Sequence, residues 1–325
     1  MNKTTADDFA PGSFEGVLDR ALSRRPVKAK SLIMTIFGDV VVPRGGRIWL
    51  SSLVSLASEF GLGEPLIRTS ALRLANEDWL QCNQVGKYSF YSMSERYSAT
   101  DAALQSQIYN TADSLRRNGW TILRTFGDRL DRSESYVLRK TLERFGFGQI
   151  APQCYIHPSL AKQAVHHIIT TSSRNGMAGV AFFNAQHDQD QDRMRELARL
   201  AWDFGDLRKG YDRFLETFDA LPGLLARGAP RPDAAFRLRT LIVHEFRRLA
   251  LRDPRLLTDM YSPGWPGEDA YQLAGHLYRN LLPASEAHLD TKFTVEDGKS
   301  PSADHRLAER FPGVTAPTPS TPPTR

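Results

Sequence analysis

The stretch that decides the fold of this chain reads EPLIRTSALRLAN at residues 64–76 and, after two acidic residues, WLQCNQVGKYSFYSM at residues 79–93. Its first half carries apolar residues close to helical spacing: Leu66, Ile67, Ala71, Leu74 and Ala75. That spacing predicts a helix with one buried stripe. The opposite, exposed side is predicted to carry Arg68, Thr69, Ser70 and Arg73.

The second half predicts two short strands around a turn at residues 84–87. Of the two tyrosines of the second strand, Tyr88 and Tyr91, one is expected to be packed and the other exposed. A helix that exposes arginines and hydroxyls, followed at once by a polar hairpin, is typical of a winged helix-turn-helix. In that motif the helix enters a major groove and the hairpin reaches the flanking backbone. The alternative is a small helix-and-hairpin subdomain with a solvated basic face.

Composition restricts the class of protein. The chain has 325 residues, enough for two or three domains with cores of their own. Its apolar runs are shorter than a membrane span, and Cys82 and Cys154 are its only cysteines, so we expect a cytoplasmic protein without a disulfide framework. Residues 20–97 carry eleven Lys and Arg against six Asp and Glu, the kind of excess that phosphate binding uses.

The pattern along the chain predicts an α+β protein of three domains. A winged helix-turn-helix domain at residues 26–97 is expected to contain helices over 31–39 and 49–60 and an extended piece at 40–46. A connecting helix at 98–118 leads to a small ferredoxin-like α/β domain at 119–190, with strands near 120–126, 147–156 and 177–184 and helices between them. Residues 191–292 are expected to form a helical C-terminal domain for effector binding and dimerisation, in which 192–225 is one helical stretch. The remaining segments are a flexible lead at 1–25 and a disordered tail at 293–325.

Several runs together resemble the PaaX family, whose members repress phenylacetate-degradation operons. The runs are SLIMTIFGD at 31–39, IRTSALRL at 67–74, HEFRR at 244–248, Asp253-Pro254 and GWPG at 264–267. The resemblance implies a GntR-like winged helix, a central domain similar to the small ferredoxin-like nuclease subunit of CRISPR systems, and a helical C-terminal domain. It also implies a homodimer that binds a palindromic operator in double-stranded DNA and leaves it on binding phenylacetyl-coenzyme A or a related aryl-acyl-coenzyme A. Neither an enzymatic activity nor a cofactor is expected.

Six residues are the candidates for DNA contact: Arg68, Thr69, Ser70, Arg73, Gln84 and Lys87. Arg68 and Arg73 are five positions apart, so they diverge around the helix and suit one base contact and one phosphate contact. The alternative for Arg73 is an ion pair with Glu77 at i+4. Gln84 and Lys87 lie at the predicted hairpin tip, where phosphates would be in reach.

Six other residues are the candidates for effector contact: His244, Glu245, Arg247, Arg248, Trp265 and Tyr278. Arginines bind phosphates well, and aromatic side chains enclose an aryl group. The alternatives are an internal His244–Glu245 hydrogen bond and a structural role for Trp265 in its turn.

A second hypothesis, from another class, is a metal-dependent nuclease built on the central domain. It depends on Asp128, which follows the first strand of that domain, and an Asp beside Gly127 is more often a turn residue. His157, His166, His167 and His187 lie in the same region, but no carboxylate follows them at ligand spacing. No metal site is therefore predicted.

Overall fold

The protein combines helices with two small antiparallel sheets in a computed structural model. The structure describes residues 12–111, 120–126, 131–158, 165–166, 169, 179–185, 191–256, 261, 263–295 and 300–314. We call residues 12–93 the N-terminal domain, 120–185 the central domain and 191–295 the C-terminal domain.

The first described element is a helix, α1, over Phe14–Arg24. Ser13 caps it by accepting a hydrogen bond from the Gly16 N–H, and Val17 and Leu18 are fully buried. The flexible lead predicted for residues 1–25 is therefore wrong from Phe14 onward. The apolar residues of this segment repeat at helical spacing and pack against the rest of the chain, which a polar lead would not do.

Helix α2 covers Ala29–Ile36 and continues as a π-helical turn over Phe37–Val41 and a 3-10 turn over Val42–Arg44. The extended piece predicted at residues 40–46 is wrong, because Val40 and Val41 are both fully buried as part of a wide helical turn. The turn ends at Gly45 and Gly46, which have φ of 89° and 75° and so adopt the left-handed conformation that glycine tolerates.

The remainder of the N-terminal domain follows the predicted order. Strand β1 is Arg47–Trp49, helix α3 is Leu50–Ser58 and helix α4 is Glu64–Asn76. A hairpin follows, with β2 over Leu80–Val85 and β3 over Tyr88–Met93. The three strands form an antiparallel sheet in the order β1-β3-β2, which places the hairpin beside α4.

Helix α5, Glu95–Tyr109, leads to the central domain, whose elements are β4 (Trp120–Thr125), α6 (Arg132–Arg144), β5 (Gly148–Ala151), β6 (Cys154–His157) and β7 (Val180–Ala185). The sheet order is β5-β6-β4-β7 with antiparallel neighbours, which confirms the ferredoxin-like prediction. The single strand predicted at 147–156 is instead a hairpin, whose turn contains Gln153 with φ 61°. The helix predicted after His157 lies mostly outside the described residues.

The C-terminal domain is helical, as predicted. Its helices are α7 (Gln191–Ala201), α8 (Phe204–Phe218), α9 (Leu221–Arg227), α10 (Pro232–Ala250) and α11 (Gly267–Lys292). The helical stretch predicted at 192–225 consists of three helices, because Asp203 caps α8 with hydrogen bonds from the Gly205 and Asp206 N–H groups and Pro222 lies in the first turn of α9.

The tail is packed rather than disordered over residues 300–314. A 3-10 turn at His305–Glu309 is followed by Phe311, which is fully buried against Tyr109, Phe246, Tyr271 and Tyr278. Gly275 makes room for Phe311, because a Cβ at Gly275 would lie 2.7 Å from the Phe311 Cβ. The polar, proline-rich composition that predicted disorder applies only to the residues beyond this segment.

Three polar contacts join α2 and its π-helical extension to α10 in antiparallel order. Arg247 donates to the Ser31 carbonyl, Thr35 Oγ1 lies 2.9 Å from His244 Nδ1, and Arg239 donates two hydrogen bonds to Asp39 Oδ2. We call these contacts the α2–α10 ladder. They fix the N-terminal domain against the C-terminal domain at three successive turns of α2.

Asp39 is the most heavily bonded residue of the ladder. Besides Arg239, it accepts hydrogen bonds from Tyr109, Tyr278 and Arg310, so helices α5, α10 and α11 and the tail segment meet at one carboxylate. Burial alone would raise the pKa of this carboxyl group, but the charges of Arg239 and Arg310 outweigh burial and lower the pKa below its ordinary value. Asp39 is therefore an ion in the folded protein at neutral pH.

Replacing Phe311 by alanine should lower the free energy of unfolding by about 3–5 kcal/mol, because the change opens a cavity among four aromatic rings. Urea denaturation followed by tryptophan fluorescence measures this loss. Glu309→Ala is the matched control, since Glu309 is exposed in the same segment and should change stability by less than about 0.5 kcal/mol. Equal stability of the two variants would show that the tail does not pack in solution.

Candidate nucleic-acid interface and ligand cleft

Helix α4 presents a long exposed face that contains Arg68, Thr69 and Arg73. Arg68 Nε donates to Glu64 Oε1 at 2.7 Å, in an ion pair whose two side chains are about half exposed. Such a surface pair contributes about 1 kcal/mol or less, so a stronger partner can replace Glu64. Among the described residues Arg73 forms no ion pair, because Glu77 binds Lys30 instead.

The buried stripe of α4 differs in phase from the prediction. Its buried members are Ile67, Ser70, Ala71 and Leu74, which repeat at i, i+3, i+4 and i+7. Ser70 is therefore buried in this stripe, and the prediction that it lies on the exposed face is wrong. Leu66 and Leu72 are about half exposed instead, so the exposed face offers apolar surface as well as charge.

The hairpin places its polar tip in solvent. Gln84 and Lys87 are exposed, and the Lys87 ammonium group lies 5.4 Å from the centroid of the Tyr88 ring. Tyr88 is exposed and Tyr91 is buried, as predicted for this pair. Burial, together with the neighbouring Cys82, raises the pKa of Tyr91 to about 12, so Tyr91 is a neutral core residue.

A cleft of about 1060 Å³ lies where the three domains meet. Its walls come from α1, α2 and the end of α4 in the N-terminal domain, from α6 and the start of β5 in the central domain, and from α8 and α10 in the C-terminal domain. Its size matches that of sites for large organic ligands.

The cleft is strongly basic. Ten of its lining residues are Arg or Lys and five are Asp or Glu. Five of the cations are paired, and the other five have no carboxylate partner among the described residues: Arg25, Lys28, Arg144, Arg213 and Arg247. The apolar lining includes the aromatic residues Phe145, Phe147, Trp202 and Phe214.

Four of the six predicted effector residues line this cleft: His244, Glu245, Arg247 and Arg248. His244 is bonded to Thr35 of α2, and Glu245 to Arg248 at 3.5 Å, so the alternative of an internal His244–Glu245 hydrogen bond is not observed. Burial, together with the charges of Arg247, Arg248 and Arg25, lowers the pKa of His244 to about 3. The imidazole is therefore neutral at physiological pH.

Trp265 and Tyr278 do not line the cleft. Trp265 stacks on Tyr261, with ring centroids 4.4 Å apart and the Arg208 guanidinium over its ring. Tyr278 is fully buried and donates its hydroxyl hydrogen to Asp39. The sequence pattern could not show that Trp265 and Tyr278 have structural roles outside the cleft.

The sequence did not single out four lining cations, namely Arg25, Lys28, Arg144 and Arg213. They come from separate elements of three domains, and only the fold brings them together. The neighbouring arginines at 24 and 25 were the one local signal.

Metal coordination finds no support in the part of the chain that the structure describes, where no group of three or more His, Cys, Asp or Glu residues could hold an ion. Asp128, His167 and His187 lie outside that part. His157 is buried, and burial lowers its pKa to about 3. Among the described helices, none is long and apolar enough to cross a membrane.

Comparison with known proteins gives three consecutive domain matches. Residues 28–97 match the description "PaaX-like protein", residues 119–197 match "PaaX protein central Cas2-like domain", and residues 202–291 match "PaaX-like protein C-terminal domain". The chain is also 32% identical over 302 residues to the transcriptional repressor PaaX of Escherichia coli strain K12. That alignment covers 91% of this chain and 94% of the relative.

The chain belongs to the PaaX family. The PaaX domain boundaries agree with the structure, because the matched segments contain α2 to β3, β4 to the first turns of α7, and α8 to most of α11. A solved structure of the uncharacterized protein Rv0674 from Mycobacterium tuberculosis is also similar, with 19% identity, a TM-score of 0.41, and coverage of 73% of this chain and 90% of that one.

Because His244 and His157 are buried, we predict that the free energy of unfolding falls in acid. His244 and His157 stay neutral in the folded protein, whereas in the unfolded chain they take up protons below about pH 6.5. Because the unfolded state binds more protons, the free energy of unfolding should fall between pH 7 and pH 5 by about 2 kcal/mol per buried histidine.

Denaturation at a series of pH values measures this slope. His244→Gln should remove the contribution of His244 to the dependence of stability on pH. His305→Gln, at an exposed site, should leave the slope unchanged. A His244→Gln slope equal to that of the native chain would argue against a neutral buried His244.

Proposed function

We propose that this chain is a DNA-binding transcriptional repressor of an aromatic-acid catabolic operon, phenylacetate being the first candidate. The observation that carries the proposal is the relationship over nearly the whole chain to the E. coli repressor PaaX. The nuclease alternative receives no support from that relative.

We infer that α4 and the β2–β3 hairpin act as the recognition helix and wing of a winged helix-turn-helix. The order of helices and the hairpin beside α4 support this inference. On this proposal Arg68 and Thr69 face the major groove, and Arg73, Gln84 and Lys87 contact phosphates. Leu72 adds an apolar surface suited to thymine methyl groups.

We also propose that the repressor binds a palindromic operator as a homodimer. One winged helix covers too small a footprint for typical operator affinity, and two half-sites about one helical turn apart require two-fold symmetry. The stoichiometry of an operator titration, two chains per duplex, is the corresponding measurement.

Arg68→Ala should lower affinity for the native operator far more than for a random duplex, because a base contact is worth about 1–3 kcal/mol of discrimination. Lys87→Ala should weaken binding to both duplexes, since phosphate contacts are independent of sequence. It should also reduce the dependence of log affinity on log salt concentration by about one unit. Fluorescence anisotropy at several salt concentrations measures both. An equal loss on both duplexes for Arg68→Ala would make Arg68 a phosphate contact only.

We further propose that an aryl-acyl-coenzyme A, with phenylacetyl-coenzyme A first, binds the cleft and releases the operator. The support is chemical: unpaired arginines suit phosphates, and the aromatic lining suits an aryl group. On this proposal the side chains of Arg247 and Arg248, from the C-terminal domain, contact the phosphates of the ligand.

Phenylacetyl-coenzyme A should therefore lower operator affinity, whereas free phenylacetate should not, because only the thioester carries phosphates. Arg247→Ala/Arg248→Ala should bind the operator and lose this response. Arg132→Ala, an exposed arginine of α6 outside the cleft, is the control. A normal response of the double variant, or equal potency of free phenylacetate, would remove the assignment.

A further inference from the structure

The unpaired cations of the cleft do not belong to one domain. Arg25 and Lys28 lie in the link between α1 and α2, Arg144 lies in the last turn of α6, and Arg213 lies on α8. Among the described residues none of the four has an ion-pair partner, and all four are exposed at the cleft. The N-terminal, central and C-terminal domains thus each offer free positive charge to the same space.

These charges also repel their neighbours. Burial lowers the pKa of Arg248, and the charges of Arg25, Arg252 and Arg247 lower it further. Among the described residues its ion-pair partner is Glu245, 3.5 Å away. Like charges held together in a partly desolvated cleft raise the energy of the empty protein, and a polyanion that enters the cleft relieves that repulsion.

The distribution of polar and apolar surface favours a small amphipathic ligand over a nucleic acid. The unpaired cations Arg25, Lys28, Arg144 and Arg213 are exposed, whereas the aromatic lining residues Phe145, Phe147 and Phe214 are buried. A DNA backbone would contact the exposed cations and leave the apolar part of the cleft unused. A ligand with phosphates at one end and an apolar group at the other satisfies both regions.

We propose that the phosphate-bearing end of a coenzyme A ligand is bound jointly by all three domains, through Arg25 and Lys28, Arg144, and Arg213. The proposal rests on the proposed function for the class of ligand, and it adds contacts on the N-terminal and central domains to the C-terminal arginines.

A ligand held in this way would be sensed directly by the DNA-binding surface. Leu74, Glu77 and Trp79 at the end of α4 form part of the cleft wall. Glu77 also binds Lys30, which lines the cleft and whose charge a bound phosphate would attract. A ligand in the cleft therefore changes the surroundings of α4 by direct contact, and no change elsewhere in the fold is needed to transmit its effect.

Isothermal titration calorimetry of the full chain with coenzyme A tests the shared site. Arg25→Ala, Arg144→Ala and Arg213→Ala should each weaken binding by about tenfold, the usual effect of losing one charge-assisted hydrogen bond. Matched controls are Arg20→Ala, on α1 but outside the cleft, and Arg132→Ala, at the other end of α6. Pantetheine, which lacks phosphates, should not bind measurably.

The outcomes separate this inference from the proposed function. Binding of coenzyme A that is unchanged in Arg25→Ala and Arg144→Ala overturns the shared site, even if phenylacetyl-coenzyme A still releases the operator. Weakened binding in all three variants supports the shared site, even if the thioester fails to release DNA. No binding of coenzyme A or its thioester to the native chain overturns both the shared site and the proposed acyl-coenzyme A effector. Thermal unfolding of each variant confirms that it is folded.

Discussion

The α2–α10 ladder is the constraint on which the arrangement of this protein depends. Its most heavily bonded member, Asp39, is a buried carboxylate that pairs with Arg239 of α10 and Arg310 of the tail. A buried ion whose partner is removed costs about 3–5 kcal/mol, so the contacts cannot be exchanged for solvent without a large loss of stability. The N-terminal domain is therefore packed directly against the C-terminal domain and is not joined to it by a flexible linker alone.

This attachment has a consequence for regulation. Two rungs of the ladder, His244 and Arg247, also line the cleft. The cleft wall continues to the end of α4, so a ligand there contacts the ladder and the proposed recognition helix together. A ligand changes an equilibrium only through its differential affinity for two states. On this account the two states differ in the placement of α4 relative to the cleft cations, and the ladder keeps the remaining contacts in place.

Local patterns in the sequence predicted the elements of the fold well. The helix at 64–76 with its hairpin, the ferredoxin-like sheet and the helical C-terminal domain all follow from periodicity and turn residues. What failed depended on contacts distant in sequence. Val40 and Val41 have the sequence pattern of a strand, but their burial in the fold is compatible with a helical turn. Phe311 is ordered because it packs against Gly275 and four aromatic rings.

The candidate site shows the same limit. Four residues of the run at 244–248 line the cleft, and their contact with an effector stays a prediction. Tyr278 is predicted as an effector contact because an aromatic side chain can enclose an aryl group, yet its hydroxyl donates to Asp39, 239 residues away in the chain. The unpaired cations at 25, 28, 144 and 213 share no motif. Their common position arises from the meeting of three domains, which no short pattern encodes.

The most direct test of this account is the affinity of phenylacetyl-coenzyme A for the operator-bound protein compared with the free protein. Linkage requires that operator DNA weaken ligand binding by the same factor by which the ligand weakens operator binding, and about 5–150-fold is the usual range. A random duplex of equal length is the control. The account predicts matching factors in the two directions, and an equal ligand affinity with and without operator would contradict it.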